Sequence, residues 1–232
     1  MLWFTRLSLL VKAQQLDAAN AEMAAFGHFD AADLYYEFHP ELYGNRRGSM
    51  VPFSFRLLAA ALPAHNHKIN EAQDKTCHLL ATVRKIIANV DTFLDASCTP
   101  QEKEDALLLW ADREVVVIHS LVNIALLKKD YHNAVRLLHQ QLRGASRPSA
   151  PLFSILGRTY LQLGDVVRAQ RAFNAAADLR DGSRGRDAVA SLMDAALVAI
   201  AQNSFSEAYG HYQQALVRDP DNALVRIASF IH

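Results

Sequence analysis

A pattern of small, aromatic and turn-forming residues recurs along this chain, and a recurring pattern constrains a fold more than any single motif. The clearest copy runs Phe153-Ser154-Ile155-Leu156-Gly157-Arg158-Thr159-Tyr160, then Leu163-Gly164-Asp165, then Ala169, Phe173 and Ala176. A second copy holds Leu192, Ala196, Ala199, Asn203, Phe205, Ala208, Tyr212 and Ala215, and closes on Asp219-Pro220-Asp221-Asn222. Upstream, Leu121, Ala125, Asp130, Tyr131, Ala134 and Leu138 form a third. Weaker copies contain Ala60, Ile69, Ala72 and Thr76, and then Trp3, Leu7, Leu10, Leu16, Ala19 and Met23. The spacing has a physical reading. Phe153, Leu156 and Tyr160 fall on one face of a first helix, and Gly164-Asp165 makes a tight turn into a second. Gly157 and Ala169 mark the helix crossing, where small side chains allow close approach, and Phe173 fills the groove towards the next copy.

This order of residues resembles the tetratricopeptide repeat, whose period is about 34 residues. The alanines of the last three copies, Ala134, Ala169 and Ala208, follow that period with short insertions, the longer at Arg180–Arg186. The fold expected is all-α: a single tetratricopeptide-like solenoid of antiparallel helix pairs over 1–232. Ala and Leu dominate, both strong helix formers, and no alternating strand pattern occurs. Helices are predicted over 50–64, 69–94, 102–127, 131–143, 150–162, 166–179, 187–201 and 205–217, with a partial pair in 2–25. Residues 223–232 read as the start of a truncated further repeat. A solenoid end left uncapped exposes apolar surface, so a longer parent protein is expected.

One connection breaks the rhythm. Gly27–Ser49 is far longer than the usual few residues between helices, and such loops are often functional. It carries Phe29, Tyr35, Tyr36, Phe38 and Tyr43, followed by Arg46 and Arg47. Aromatics and arginine are enriched at interface hot spots. Tyr35, Tyr36, Phe38, Tyr43, Arg46 and Arg47 are therefore the candidate partner-binding residues. The alternative is that these rings fold back over the first helix pairs. Ser49 is read as an N-cap, with Pro52 in the first turn.

Composition excludes several function classes. Lys plus Arg and Asp plus Glu both number 24, so there is no basic excess of the kind phosphate binding needs. Hydrophobic residues at 51% against charged ones at 21% exclude a mainly disordered chain. No run of about 18 apolar residues exists, so no membrane span is predicted. The two cysteines, Cys77 and Cys98, fit a reducing compartment. Candidate chemistry is thin. His65-Asn66-His67 reads as a solvated corner rather than a metal pair, and Cys77-His78 as a packing cysteine beside an exposed histidine. His132 and His139, seven apart, read as a surface stripe, and Arg180, Arg184 and Arg186 as a solvated loop. Gly182-Ser183-Arg184-Gly185 lacks the lysine and preceding strand of a phosphate loop. No catalytic residue, cofactor, metal or nucleic acid is expected. The face that tetratricopeptide arrays turn to their ligands reads Val116, His119, Asn123 and Leu126, then Pro151, Ser154, Arg158 and Leu161, then Ala190, Met193, Leu197 and Ile200. It is mostly apolar, which suits a folded subunit better than a peptide carboxylate.

Read in order, Leu2-Trp3-Phe4, Asp33-Leu34-Tyr35-Tyr36-Glu37, Arg46-Arg47-Gly48-Ser49-Met50-Val51-Pro52-Phe53-Ser54, Lys129-Asp130-Tyr131, Leu163-Gly164-Asp165 and Gln202-Asn203-Ser204-Phe205-Ser206-Glu207-Ala208 resemble the C-terminal repeat region of the TRAPP (trafficking protein particle) subunit 12 family. The Arg46–Ser54 stretch is the specific part, and Ala223–His232 departs from the pattern. The resemblance implies a non-catalytic scaffold of the TRAPP III vesicle-tethering and Rab guanine nucleotide exchange complex, acting in endoplasmic reticulum to Golgi transport and autophagy. It implies other TRAPP subunits as partners, chiefly the large peripheral ones. The implied location is cytoplasmic, at Golgi and intermediate-compartment membranes, touching membrane only through the complex. The other function class open to such a chain is a free adaptor that captures peptide tails of a chaperone or motor. Repeat packing is expected from Trp3, Ala19, Ala72, Ala134, Phe153, Gly157, Tyr160, Gly164, Ala169, Phe173, Phe205, Ala208, Tyr212 and Pro220.

Overall fold

The structure, a computed structural model, describes residues 2–44, 46–90, 99–144, 149–180 and 186–222. Among them the chain is all-α. Its helices are α1 Leu2–Lys12, α2 Leu16–Ala24, α3 Pro40–Tyr43, α4 Phe53–His65, α5 Ile69–Ala88, α6 Pro100–Leu127, α7 Tyr131–Gly144, α8 Ala150–Gln162, α9 Val166–Arg180, α10 Arg186–Ala201 and α11 Phe205–Arg218. The predicted helices are met within a few residues at each end, except that the one predicted over 69–94 stops at Ala88. The predicted helical residues 91–94, the stub at 223–232 and the loop position Arg184 lie outside the described residues. The helices form two compact units, Met1–Lys128 and Lys129–His232, within which they pack in sequential pairs.

Each pair closes on the same turn. A residue with left-handed backbone ends it at Gln14 (φ 58°), His67 (61°), Gly164 (76°) and Asn203 (60°), and Lys129 (59°) takes the same conformation before α7. Five residues after each comes an alanine buried to 3% exposure or less: Ala19, Ala72, Ala134, Ala169 and Ala208. The amide of that alanine donates to the carbonyl four residues back, starting the second helix. After four of them, all but Lys129, the next residue donates five residues back, as Asp165 does to Tyr160 O at 3.0 Å and Ser204 to Ala199 O at 2.8 Å. This is the bond pattern by which a left-handed C-terminal residue satisfies the last carbonyls of a helix.

In the first unit, Leu7, Ala19, Phe55 and Leu62 make a core with Phe4, Met23, Phe26, Phe29 and Leu58 around it. The second seam lies between α5, through Ala72, Thr76, Leu79, Leu80 and Val83, and the C-terminal half of α6, through Val117 to Ala125. Helix α6 starts on a capping box. Glu102 N donates to Thr99 Oγ1 at 3.3 Å, and Thr99 N donates to Glu102 Oε2 at 2.8 Å.

In the second unit, Ala134, Leu138, Leu156, Tyr160, Ala169, Phe173, Ala176, Ala196, Ala199, Ala208, Tyr212 and Ala215 are buried. The Phe173 ring lies on Gly157 within its own helix pair. Three of the expected packing residues sit at the surface instead: Gly164 is exposed at its turn, Phe205 is 63% exposed at the start of α11, and Pro220 is exposed beyond its end. Trp3 is 53% exposed, yet its ring meets Phe26 edge-on at 5.5 Å.

Ser49 does not cap α4. Pro52 stands at the N-cap, and Ser49 Oγ accepts from Val51 N at 3.1 Å and from Arg56 Nη2 at 2.9 Å. The hydroxyl thus ties the long connection to α4 from outside the helix.

Candidate interaction site

The connection at 27–49 has local order of its own. It contains 3-10 turns at Ala32–Leu34 and Tyr36–Phe38, the short α3, and an antiparallel bridge between Tyr35 and Ser49. Tyr36 N donates to Gly48 O at 3.0 Å, and Met50 N donates to Leu34 O at 2.9 Å. Gly48 has φ 99°, a backbone that β-carbon-bearing residues rarely adopt, and its amide donates to Glu37 Oε1 at 2.8 Å. A glycine therefore stands where the specific Arg-Arg-Gly-Ser stretch turns.

Arg56 fastens this segment to the helices behind it. It donates to Asp30 Oδ1 at 2.6 Å and to Phe29 O at 2.6 Å, and its guanidinium lies 6.0 Å from the Tyr35 ring centre. Phe29 joins the core, 5.2 Å from Phe55. Tyr35 and Tyr36 are half-buried, while Phe38 is 58% and Tyr43 42% exposed. Tyr36 meets Tyr43 edge-on at 5.0 Å, and the Arg46 guanidinium sits 4.3 Å over the Tyr36 ring. Arg47 is exposed. Of the six candidates, Tyr36, Tyr43 and Arg46 are brought into one cluster, Tyr35 anchors the segment, and Phe38 and Arg47 face outward. The base folds back and the tip is presented.

The second unit holds a polar centre that sequence reasoning missed. Asp194, 2% exposed, accepts a short hydrogen bond from Ser154 Oγ. It also pairs with Arg180 Nη1 at 3.1 Å and Arg158 Nη2 at 3.2 Å. Arg180 Nη2 donates to Ser154 Oγ at 2.8 Å. Helices α8, α9 and α10 are joined at one carboxylate. This corrects one expectation. Arg180 is no solvated loop residue, its side chain being only 8% exposed. Arg158, the cation already expected on the mostly apolar face, is 55% exposed and held by Asp194.

His139 is half-buried at 2.9 Å from Tyr160 Oη, so it is not part of a surface stripe. Cys77 is exposed rather than packed. Asn66 is pinned, donating to Asn20 Oδ1 at 2.9 Å and Leu62 O at 3.2 Å. Among the described residues no three His, Cys, Asp or Glu side chains gather as a metal site would require. No described helix is long and apolar enough to cross a membrane.

No protein-family profile matches the chain. Individual proteins do. The chain is 36% identical over 231 residues to human trafficking protein particle complex subunit 12, an alignment covering 96% of this chain. The chain is homologous to part of TRAPP complex subunit 12. The mouse subunit 12 gives the same 36% over 231 residues. The chain spans 31% of the human protein and 29% of the mouse one, about a third of each. With 96% of the chain covered, the similarity to subunit 12 extends across both compact units.

Proposed function

We propose that the chain is the repeat-bearing part of a TRAPP subunit 12 and serves as a non-catalytic scaffold. On this reading its helix pairs stack as one tetratricopeptide solenoid. The complex is TRAPP III, a vesicle tether and Rab guanine nucleotide exchange factor working in endoplasmic reticulum to Golgi transport and autophagy. Exchange chemistry belongs to other subunits. The partners are other TRAPP subunits, chiefly the large peripheral ones. The protein works in the cytoplasm at Golgi and intermediate-compartment membranes, and reaches membrane only through the complex.

The observation that carries this reading is the 36% identity to subunit 12 over 96% of the chain. The repeated left-handed turn with its buried alanine supports the tetratricopeptide geometry. The exposed tip of the 27–49 segment supplies a surface rich in the residue types of interface hot spots. The test is purification of the tagged chain from cells in high salt. Stoichiometric recovery of other TRAPP subunits is expected. Recovery of chaperones or motors in their place would favour a free adaptor and overturn the scaffold assignment.

A further inference from the structure

Helix α6 divides into two unlike halves. Every buried side chain on it lies from Val117 onward. The N-terminal half nevertheless carries Leu107, Leu108, Leu109, Val115 and Val116, which are 39%, 60%, 49%, 46% and 47% exposed. Single exposed aliphatics are ordinary; five within ten positions of one helix leave apolar surface on more than one of its sides.

Arg113 lies on the side of this half that carries Leu109 and Val116, while Leu108 and Val115 point to the opposite side. Its guanidinium lies 4.3 Å from the Trp110 ring centre and 5.1 Å from that of Phe53 on α4. The two rings meet edge-on at 6.4 Å. Arg113 makes no ion pair among the described residues. Its neighbour Glu114 points elsewhere, accepting from Arg84 Nε at 2.7 Å. Burial pushes the Arg113 pKa down from its usual value. A cation stripped of part of its water and set against two rings still has N–H donors to offer. Leu109 and Val116, four positions before and three after, share its helix face.

We propose that the face of α6 centred on Arg113 docks a helix of another protein, whose carboxylate pairs with the guanidinium and whose aliphatic side chains cover Leu109 and Val116. The charge argument chooses the chemistry. A guanidinium already desolvated on one side gains more from a carboxylate than a fully hydrated one, because less water has to be removed. The ridge of aliphatics at helical spacing suits a second helix. A central arginine and tryptophan ringed by aliphatic contacts is the composition that dominates binding energy at interfaces. The proposal rests on the reading of the chain as a subunit of a complex, and it adds a surface separate from the 27–49 tip.

The test uses the tagged chain in cells that contain the TRAPP complex. Arg113→Glu should reduce co-purification of TRAPP subunits by about tenfold or more, equivalent to at least about 1.4 kcal/mol. Arg113→Lys, which keeps the charge but not the fork, should fall between Arg113→Glu and the unmodified chain. Should Arg113→Glu lower the melting temperature, Val116→Asp at an exposed position replaces it and should weaken assembly in the folded chain. A photo-crosslinking residue at position 109 should capture an Asp- or Glu-bearing helix of another subunit. Reversing that acid to Lys should restore binding to Arg113→Glu. Unchanged assembly of both folded variants would overturn the proposal. So would a crosslink to a second copy, to the same polypeptide or to nothing, or a charge reversal that fails to rescue. If the unmodified chain recovers no TRAPP subunit, the functional reading fails by itself. The docking surface then stands or falls on whether the crosslinked peptide is an acidic helix of another protein and the charge reversal rescues.

Discussion

The ring of Phe173 lies directly on the backbone of Gly157. A β-carbon built on that glycine would come within 2.5 Å of Phe173 Cε1 and 2.7 Å of Cδ1. Phe173 is 5% exposed, so its ring cannot swing into solvent. Gly157→Ala raises helix propensity by about 1 kcal/mol, yet the overlap should outweigh it. The expected result is a net loss of about 1–3 kcal/mol in urea unfolding. A variant as stable as the parent would show that α8 and α9 are not in such close contact.

Ala169 is fully buried where the same two helices meet. Ala169→Leu should cost about 1–3 kcal/mol by overpacking. The melting temperature reads this directly, and an unchanged value would contradict the crossing geometry.

Asp194 holds Arg180 and Ser154 in a site only 2% exposed. Removing one partner of a buried pair leaves the other desolvated, so Asp194→Ala should cost about 3–5 kcal/mol. Arg158, 55% exposed, contributes a surface pair to the same carboxylate. Arg158→Ala should cost less than about 1 kcal/mol. Equal losses in chemical denaturation would mean that burial does not set the scale there.

The tip and base of the 27–49 segment should separate under mutation. Tyr35→Ala with Tyr36→Ala removes half-buried rings and should lower the melting temperature of the chain. Arg46→Glu with Arg47→Glu alters exposed positions and should leave melting nearly unchanged while abolishing co-purification of TRAPP subunits. Full assembly of that folded double variant would exclude these arginines from the interface.

Hydrogen bonds from Thr99 hold the Glu102 carboxyl below its usual pKa. A carboxyl whose folded pKa is depressed adds stability above its unfolded value, and the contribution fades as pH falls through the folded one. The first turn of α6 should therefore exchange its amide hydrogens faster as pH drops from about 5 towards 3, after correction for intrinsic rates. Glu102→Gln should show little of that acid dependence. An identical pH profile in both proteins would rule out the capping carboxylate as its source.

Sequence alone determined the helices, their pairing order and the small residues at their crossings. Those features rest on local periodicity, and Ala134, Ala169 and Ala208 announce themselves by spacing. Gly164 also announced its turn, because glycine takes positive φ without strain. Gln14, His67 and Lys129 take the same conformation unannounced. Packing of the buried helix faces offsets a strain that their side chains would otherwise resist. The same limit hid Asp194 within the apolar run Leu192–Ala201 and made Arg180 look like loop charge. Ser154 and Asp194 lie forty positions apart, and nothing local links them. Only the tertiary structure decided which rings of the 27–49 segment turn inward, and that Arg113 lies against Phe53 and Trp110 with no ion pair among the described residues. Periodicity reports which face of a helix is buried. The partners met on that face come from distant parts of the chain, and only the folded packing brings them together.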